Sequence, residues 1–185
     1  ETDEVIQLAK THRNVRSVLV GNEVLLRAER TPDELIALIN KVKKQVRVPV
    51  STGEIWTYWL DNPKLVNAVD YMAVHILPYW EGVAPENAVD YTLARIDELR
   101  KAYPGKRLVV AEFGWPSQGY NRNDAQPGTL QQAQIIRDFI AAAQKRGIEY
   151  NIVEAFDQTW KVNEGSVGAY WGLFDANRHQ KFPLT

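Results

Sequence analysis

Apolar residues recur along this chain in two alternating patterns, short continuous runs and longer segments with helical spacing. The first helical segment covers residues 2–12, and the first apolar run covers 17–22. The further predicted helices are 31–46, 61–69, 85–103 and 129–146, and the further predicted strands are 48–52, 71–76, 107–111 and 150–156. Strands that alternate with helices in this way predict a parallel sheet with right-handed crossovers.

Two of the predicted helices carry recognisable start signals. Thr31 is followed by Pro32 and, three residues on, by Glu34, which is the pattern of a capping box with proline at the first helical position. Thr129 and Gln132 have the same spacing and predict a second capping box. The stretch 117–128 is rich in Gln, Asn, Asp and Gly and is predicted to be a long loop.

Polar or aromatic residues stand where the predicted strands end. They are Glu23, Glu54, Tyr79, Glu112 and Asp157. Functional residues of a (β/α)8 TIM barrel occupy this position, and the glycine-rich phosphate turn of dinucleotide-binding folds is absent from the sequence. The pattern favours an α/β barrel fold, although it supplies only five strands. The length suits a single domain over residues 1–185.

Composition narrows the class of partner. Lys plus Arg is 22 and Asp plus Glu is 23, so no bulk positive charge favours a nucleic acid, and an uncharged partner is expected. The chain has no cysteine, which excludes disulfides and thiolate metal sites. Its apolar runs fall short of the roughly 18 residues of a membrane span. The three histidines, His12, His75 and His179, lack metal-ligand spacing, so neither a metal nor a cofactor is expected. His75 is interpreted as a core residue, with a position lining the pocket as the alternative.

Two of the strand-end residues, Glu23 and Glu112, each close an apolar run. A carboxylate is costly to desolvate there, and an isolated one usually forms a surface ion pair. Glycoside hydrolysis requires two carboxyl groups, one protonated beside the leaving oxygen and one ionised beneath the anomeric carbon. The two glutamates therefore suggest a paired-carboxylate catalyst.

Five ordered motifs carry a resemblance to a known family. Residues 20–24, Val-Gly-Asn-Glu-Val, and 111–117, Ala-Glu-Phe-Gly-Trp-Pro-Ser, resemble the acid/base and nucleophile motifs of glycoside hydrolase family 17. This family contains β-1,3-glucanases and β-1,3-glucanosyltransferases. Residues 77–82, 154–161 and 171–175 are similar to its loops after the sixth and eighth strands and to its closing segment. The resemblance runs from residue 17 to the end of the chain.

The resemblance implies a retaining enzyme acting on β-1,3-glucan oligosaccharide or polysaccharide by double displacement. Glu23 would be the acid/base at the end of the fourth barrel strand, and Glu112 the nucleophile at the end of the seventh. Retaining enzymes hold these carboxyl groups roughly 5 to 5.5 Å apart. The chain would supply strands 4 to 8, with the first three strands apparently absent. The family favours an extracytoplasmic location, which the sequence alone leaves unknown.

Family correspondence also suggests substrate-binding residues. Asn22 matches an asparagine that hydrogen-bonds the sugar 2-hydroxyl, with a strand-end turn as the alternative. Tyr79 matches a tyrosine that donates to the nucleophile, with an ordinary core tyrosine as the alternative. Lys161 agrees with a family lysine after the eighth strand, whereas Gln158 stands where relatives often carry Glu.

The remaining candidates are aromatic and acidic. Trp115 and Trp160, and then Trp56, are predicted to stack on sugar rings, although packing at the barrel top is the alternative; Trp80 is left open, and Trp59 is predicted to be core. Glu54 and Glu154 are expected to accept sugar hydroxyls or to pair with Arg27 and Lys161. Asp157 completes the predicted substrate-binding set.

The small number of strands leaves other interpretations of the chain open. An open five-stranded parallel sheet exposes two edges, so self-association or pairing with a missing N-terminal half is expected. A non-catalytic glucan-binding module and an engineered half-barrel fragment are the rival interpretations. For an enzyme, hydrolysis and glucanosyl transfer both remain open.

Overall fold

The computed structural model describes residues 1–184 and shows helices alternating with strands. The helices are α1 Thr2–Thr11, α2 Pro32–Lys43, α3 Trp56–Asp61, α4 Pro63–Ala68, α5 Ala88–Ala102 and α6 Thr129–Arg146. The strands are β1 Val18–Asn22, β2 Val50–Ile55, β3 Met72–His75, β4 Leu108–Phe113 and β5 Glu149–Ile152. Short 3-10 helices cover Pro85–Asn87 and Val162–Val167.

The five strands form one sheet in chain order, from β1 to β5. β1 pairs parallel with β2, and β2 pairs parallel with β3, where Gly53 lies opposite Ala73. The N–H of Ile76, just after β3, donates to the carbonyl of Glu112 in β4 over 3.0 Å. The N–H of Val153, just after β5, donates to the carbonyl of Phe113 over 2.8 Å. The predicted parallel sheet with alternating helices is confirmed.

Some predicted boundaries are wrong. β2 is displaced toward the C-terminus relative to 48–52, so Glu54 lies inside the strand. The helix expected at 61–69 is present as α4, and a further short helix that was not predicted, α3, precedes it; Pro63 has no N–H to continue α3 and instead begins α4. The structure ends α2 at Lys43, before the predicted end at Val46.

The two predicted capping boxes have different outcomes. At α2, the Thr31 hydroxyl accepts from the N–H of Glu34, and the Glu34 carboxylate accepts from the N–H of Thr31, so this box is confirmed. At α6 the N-cap is Gly128, without a side-chain cap bond. Gln132 is fully buried and donates to the carbonyl of Trp115 over 2.8 Å, so the second box is wrong.

The chain divides into two compact units. Unit 1 comprises residues 1–75 and 98–111, and unit 2 comprises 76–97 and the chain from 112 onward. The prediction of a single domain stays a prediction. None of the helices within residues 1–184 combines the length and the apolar character needed to cross a bilayer.

Each unit has its own core. In unit 1, α2 contacts β1 and β2 and buries Leu35, Ile39 and Val42. Trp59 of the same unit is fully buried, which confirms its predicted core position. In unit 2, Phe113 of β4 stacks on Phe139 of α6 with ring centroids 3.7 Å apart.

Candidate active site

Glu23 occupies a constrained turn directly after β1. Its N–H donates to the carbonyl of Gly53 in β2 over 2.7 Å, and its carbonyl accepts from the N–H of Arg27 over 2.9 Å. The backbone of Glu23 has φ +53°, in the left-handed region that non-glycine residues seldom adopt. Such a conformation costs about 1 to 3 kcal/mol and persists only where neighbours enforce it, which is typical of functional sites.

The carboxyl group of Glu23 is oriented by a buried histidine. Nδ1 of His75, the last residue of β3, lies 2.8 Å from Oε1 of Glu23. The His75 side chain is 1% exposed and that of Glu23 is 21% exposed, so a fixed imidazole holds a carboxyl that solvent and substrate can reach. Sequence analysis left His75 as a residue that either lines the pocket or lies in the core, and it did not predict the pair with Glu23. The position of His75 at the end of a strand was the available signal.

Glu54 fits neither of its predicted roles. Its side chain is fully buried, so it has no surface to offer a sugar hydroxyl. Oε1 accepts from the N–H of Leu25 over 2.9 Å, and Oε2 has no hydrogen-bond partner among the described residues. Burial raises the pKa of Glu54, and the negative charge of Glu23 raises it further. The predicted partner Arg27 instead pairs with Glu29 over 2.7 Å.

Asn22 and Trp56 lie at the ends of β1 and β2. Asn22 is exposed, and its backbone carbonyl accepts from the guanidinium of Arg27. Trp56 is half-buried at the first position of α3. The contact of Asn22 with a sugar hydroxyl and the stacking of Trp56 stay predictions.

Glu112 is the penultimate residue of β4, in unit 2. Its side chain is half-buried and its carbonyl accepts from the N–H of Ile76. Phe113, which follows it, is fully buried. Its predicted location at the carboxyl end of a strand is confirmed, and its role as nucleophile stays a prediction.

Tyr79 and Trp115 belong to a packed aromatic cluster. Both are buried, and the ring of Tyr79 meets the rings of Trp115 and Trp171 edge-on at 6.1 and 6.0 Å. The Tyr79 hydroxyl donates to the carbonyl of Tyr120 over 3.0 Å, which uses the proton predicted for the nucleophile. Burial raises the pKa of Tyr79. Trp115 has no accessible face for a sugar, so the packing alternative describes both residues.

Trp80 has one of the accessible indoles. Its side chain is 37% exposed and stacks on Trp171 with ring centroids 6.1 Å apart. The guanidinium of Arg122 lies 5.5 Å from the Trp80 ring centroid. Partial exposure leaves part of the ring open to an apolar sugar face.

A second acidic group follows β5. Glu154 pairs with Lys161 over 3.0 Å and accepts from Gln158, so its predicted pairing with Lys161 is confirmed. Nζ of Lys161 lies 5.6 Å from the centroid of the Trp160 ring. Trp160 is 70% exposed, as a sugar-stacking residue must be, although stacking itself stays a prediction.

Asp157 ties together two segments of unit 2. It is nearly buried and accepts from Nζ of Lys181 over 2.6 Å and from the N–H of Gly172 over 2.9 Å. Lys181 also donates to the Ser117 hydroxyl over 2.8 Å. Asp157 thus has a structural role within unit 2, and its contact with substrate stays a prediction. Nothing in the sequence spacing indicated Lys181.

The chain resembles known carbohydrate enzymes. Residues 1–172 match the model of the BtgE/BtgC glycoside hydrolase domain. The glucan 1,3-beta-glucosidase of Schizosaccharomyces pombe is 28% identical, over 93% of this chain and 58% of that protein. The chain thus spans less than two thirds of this relative.

Two related structures match over the whole chain. The glycoside hydrolase family 17 β-1,3-glucanosyltransferase of Rhizomucor miehei has a TM-score of 0.90 and 26% identity, and this chain covers 70% of it. An active-site mutant of the same enzyme, in complex with laminaritriose, has a TM-score of 0.88 and 27% identity, with 69% covered. The predicted fold class, part of a (β/α)8 barrel, is confirmed.

Proposed function

Since the chain belongs to the family of BtgE/BtgC glycoside hydrolase domains, we propose that it acts on β-1,3-glucan with retention of configuration. The name of one relative and the laminaritriose bound by a structural neighbour support this substrate. The observation that carries the proposal is the Glu23 carboxyl, partly exposed after a parallel strand and held by the buried His75. This is the environment expected of a general acid/base.

Glu112 is the proposed nucleophile. Its carboxylate attacks the anomeric carbon while the glycosidic C–O bond breaks and Glu23 gives its proton to the leaving oxygen. A water molecule or sugar hydroxyl then attacks the glycosyl ester, transferring its proton to Glu23 and releasing the Glu112 carboxylate. Both glutamates lie at carboxyl ends of strands in one parallel sheet, the position that active-site residues take in barrel enzymes.

His75 serves the acid/base through orientation. In the tautomer that carries hydrogen on Nδ1, the ring donates to Oε1 of Glu23 and leaves Oε2 to exchange the proton.

The acceptor of the second step decides between hydrolase and glucanosyltransferase. The exposed rings of Trp160 and Trp80 offer stacking faces for an acceptor sugar. Mass spectrometry of the products from a defined laminari-oligosaccharide separates the two activities, since longer chains arise only by transfer. Binding by calorimetry without any product would support the glucan-binding module instead.

The direct test of the roles is replacement of Glu112 by Gln. The substitution keeps the shape of the side chain and removes the nucleophilic oxygen, so we expect turnover of laminari-oligosaccharides to fall by about 10⁴-fold or more. Exposed Glu86 provides a matched Glu→Gln control, for which we expect activity near that of the parent chain. Retained turnover in Glu112→Gln refutes the assignment.

The extracytoplasmic location remains a proposal from the family resemblance.

A further inference from the structure

Glu54 is a buried acid for which the proposed reaction has no direct use. We propose that it is a positioning residue, which holds the turn carrying Glu23 by accepting the N–H of Leu25. The inference rests on the proposed function, because it acts through Glu23 as acid/base. Direct contact between Glu54 and a sugar is inconsistent with its fully buried side chain.

Two consecutive residues of β2 hold the turn. The carbonyl of Gly53 accepts from the N–H of Glu23 over 2.7 Å, and Oε1 of Glu54 accepts from the N–H of Leu25 over 2.9 Å. These bonds bracket Glu23, whose left-handed conformation requires such support. Leu25 is itself buried, so water cannot replace Glu54 as the acceptor without rearrangement.

The end of β2 also makes room for the histidine. A Cβ at Gly53 would lie 2.7 Å from Nε2 of His75 and 2.9 Å from Oδ1 of Asn22. The absence of a side chain at this position lets His75 approach the strand and reach Oε1 of Glu23. The backbone and the side chain of Glu23 are thus fixed by β2 and β3, and Glu54 supplies a side-chain contact from β2 to the turn backbone.

The role requires an oxygen and not a negative charge. Oε2 of Glu54 has no hydrogen-bond partner within residues 1–184, and burial favours the protonated form. A protonated carboxyl still accepts at Oε1, and so does the amide oxygen of glutamine. Glu54→Gln should therefore preserve the turn, whereas Glu54→Leu fills a similar volume and removes the acceptor.

Leaving-group dependence distinguishes positioning of the acid from general damage. Proton donation matters for a sugar leaving group and matters little for 2,4-dinitrophenolate, which leaves without it. For Glu54→Leu we expect kcat on a laminari-oligosaccharide to fall about 10- to 100-fold, with KM nearly unchanged. On 2,4-dinitrophenyl β-laminaribioside, where glycosylation is followed directly, we expect a loss of at most about threefold, and Glu54→Gln should stay within about threefold on both substrates.

Asp70, which lies just before β3, offers a matched control at the other end of β2. Its Oδ2 accepts from the N–H of Val50, the first residue of β2, over 2.7 Å. Asp70→Leu also removes a carboxylate acceptor from a backbone N–H, but at the end of β2 away from Glu23. We expect it to lower stability and leave the ratio of the two activities unchanged. The proposal is overturned if Glu54→Leu loses activity equally on both substrates. It is also overturned if Asp70→Leu loses more activity on the laminari-oligosaccharide than on the dinitrophenyl glycoside.

Amide hydrogen exchange supplies a readout that does not need activity. We expect exchange at Leu25 to be slow in the parent chain and in Glu54→Gln, and at least about tenfold faster in Glu54→Leu. Unchanged exchange at Leu25 in Glu54→Leu contradicts the structural contact. If exchange responds as expected while the parent chain turns over neither substrate, the proposed function fails and the catalytic role of Glu54 fails with it.

Discussion

At the scale of single residues, the surroundings of Glu23 depend on three side chains or backbone groups from two strands. Gly53 and Glu54 fix its backbone from β2, and His75 orients its carboxyl from β3. Each contact adds a restraint that a free carboxyl at a strand end would lack. These hydrogen bonds therefore offset the free-energy cost of the left-handed backbone at Glu23, and they also orient its carboxyl group, the proton donor.

Removal of the imidazole tests its share in this arrangement. A hydrogen bond to an ionised group contributes about 1.5 to 3 kcal/mol, so His75→Phe should lower kcat by roughly 10- to 100-fold. The measurement is steady-state turnover of a laminari-oligosaccharide, with circular dichroism to verify folding. His179→Phe, at an exposed histidine paired with Asp175, should leave kcat unchanged. A folded His75→Phe chain with parent kcat would show that the bond does not serve catalysis.

The titration of Glu54 predicts a pH dependence of stability. Burial raises its pKa above the ordinary value of 4.5, so the folded chain binds this proton more tightly than the unfolded chain. The contribution of Glu54 is fully present below the unfolded pKa and is lost as pH rises through the raised folded pKa.

Glu54→Gln removes this titration. The variant should gain stability relative to the parent chain as pH rises from about 4 toward neutrality, with a constant difference below the unfolded pKa. Urea unfolding at several pH values measures the difference. If the free energies of unfolding of Glu54→Gln and of the parent chain differ by the same amount at every pH, Glu54 has the same pKa in the folded and the unfolded chain, which contradicts the prediction.

Sequence analysis correctly located the residues whose position in the fold follows from adjacent residues in the chain. Glu112 follows an apolar run and Trp59 lies in a helical segment, and both were located correctly. His75, Glu54 and Lys181 acquire their partners from segments 24 to 52 residues away, as in the Lys181–Asp157 and His75–Glu23 pairs. Such partners depend on strand register and loop path, which local periodicity does not specify.

At the scale of elements, a capping motif in the sequence forms a capping box only where its side chains are free to bond the first turn of the helix. At α2, Thr31, Pro32 and Glu34 satisfy the first turn together. At α6 the same Thr-x-x-Gln spacing is present, but Gly128 precedes the helix and Gln132 turns inward to bond Trp115. Tertiary hydrogen bonding overrode the local motif there. Similarly, β2 extends to Ile55 because its residues pair with β3 as far as His75.

Thr31 at α2 and Thr129 at α6 allow a matched test of what the capping hydroxyl contributes to stability. Thr31→Ala removes the hydroxyl that accepts the N–H of Glu34, so we expect a loss of about 1 kcal/mol in the free energy of unfolding. Thr129→Ala removes a hydroxyl that makes no cap bond and should change stability by less than about 0.5 kcal/mol. Chemical denaturation of both variants measures the difference. Equal effects would show that the box at α2 contributes nothing of its own.

At the scale of the whole molecule, the chain is one part of a barrel architecture. It matches 70% of the Rhizomucor miehei structure with a TM-score of 0.90. Within residues 1–184, β1 and β5 are the first and last strands of the sheet. Open edges of a parallel sheet favour pairing with further strands.

Self-association is the prediction that belongs to this scale. We expect the isolated 185-residue chain to form dimers or larger species through its sheet edges, and light scattering coupled to size exclusion measures their mass. Adding a soluble chain that carries the three strands proposed to complete the barrel should shift the population toward a complex. A monomer at every accessible concentration would contradict the expectation. Activity measured on the isolated chain should therefore be related to its association state.

Trapping of the covalent intermediate tests the central claim most directly. A 2-deoxy-2-fluoro-β-laminaribiosyl fluoride retains a good leaving group for the first step, while fluorine at C2 slows hydrolysis of the glycosyl ester. Mass spectrometry should show one added glycosyl unit, located by peptide mapping on Glu112 and absent from Glu112→Gln. A label on Glu23 or another residue, or an active chain that accumulates no ester, would contradict the account.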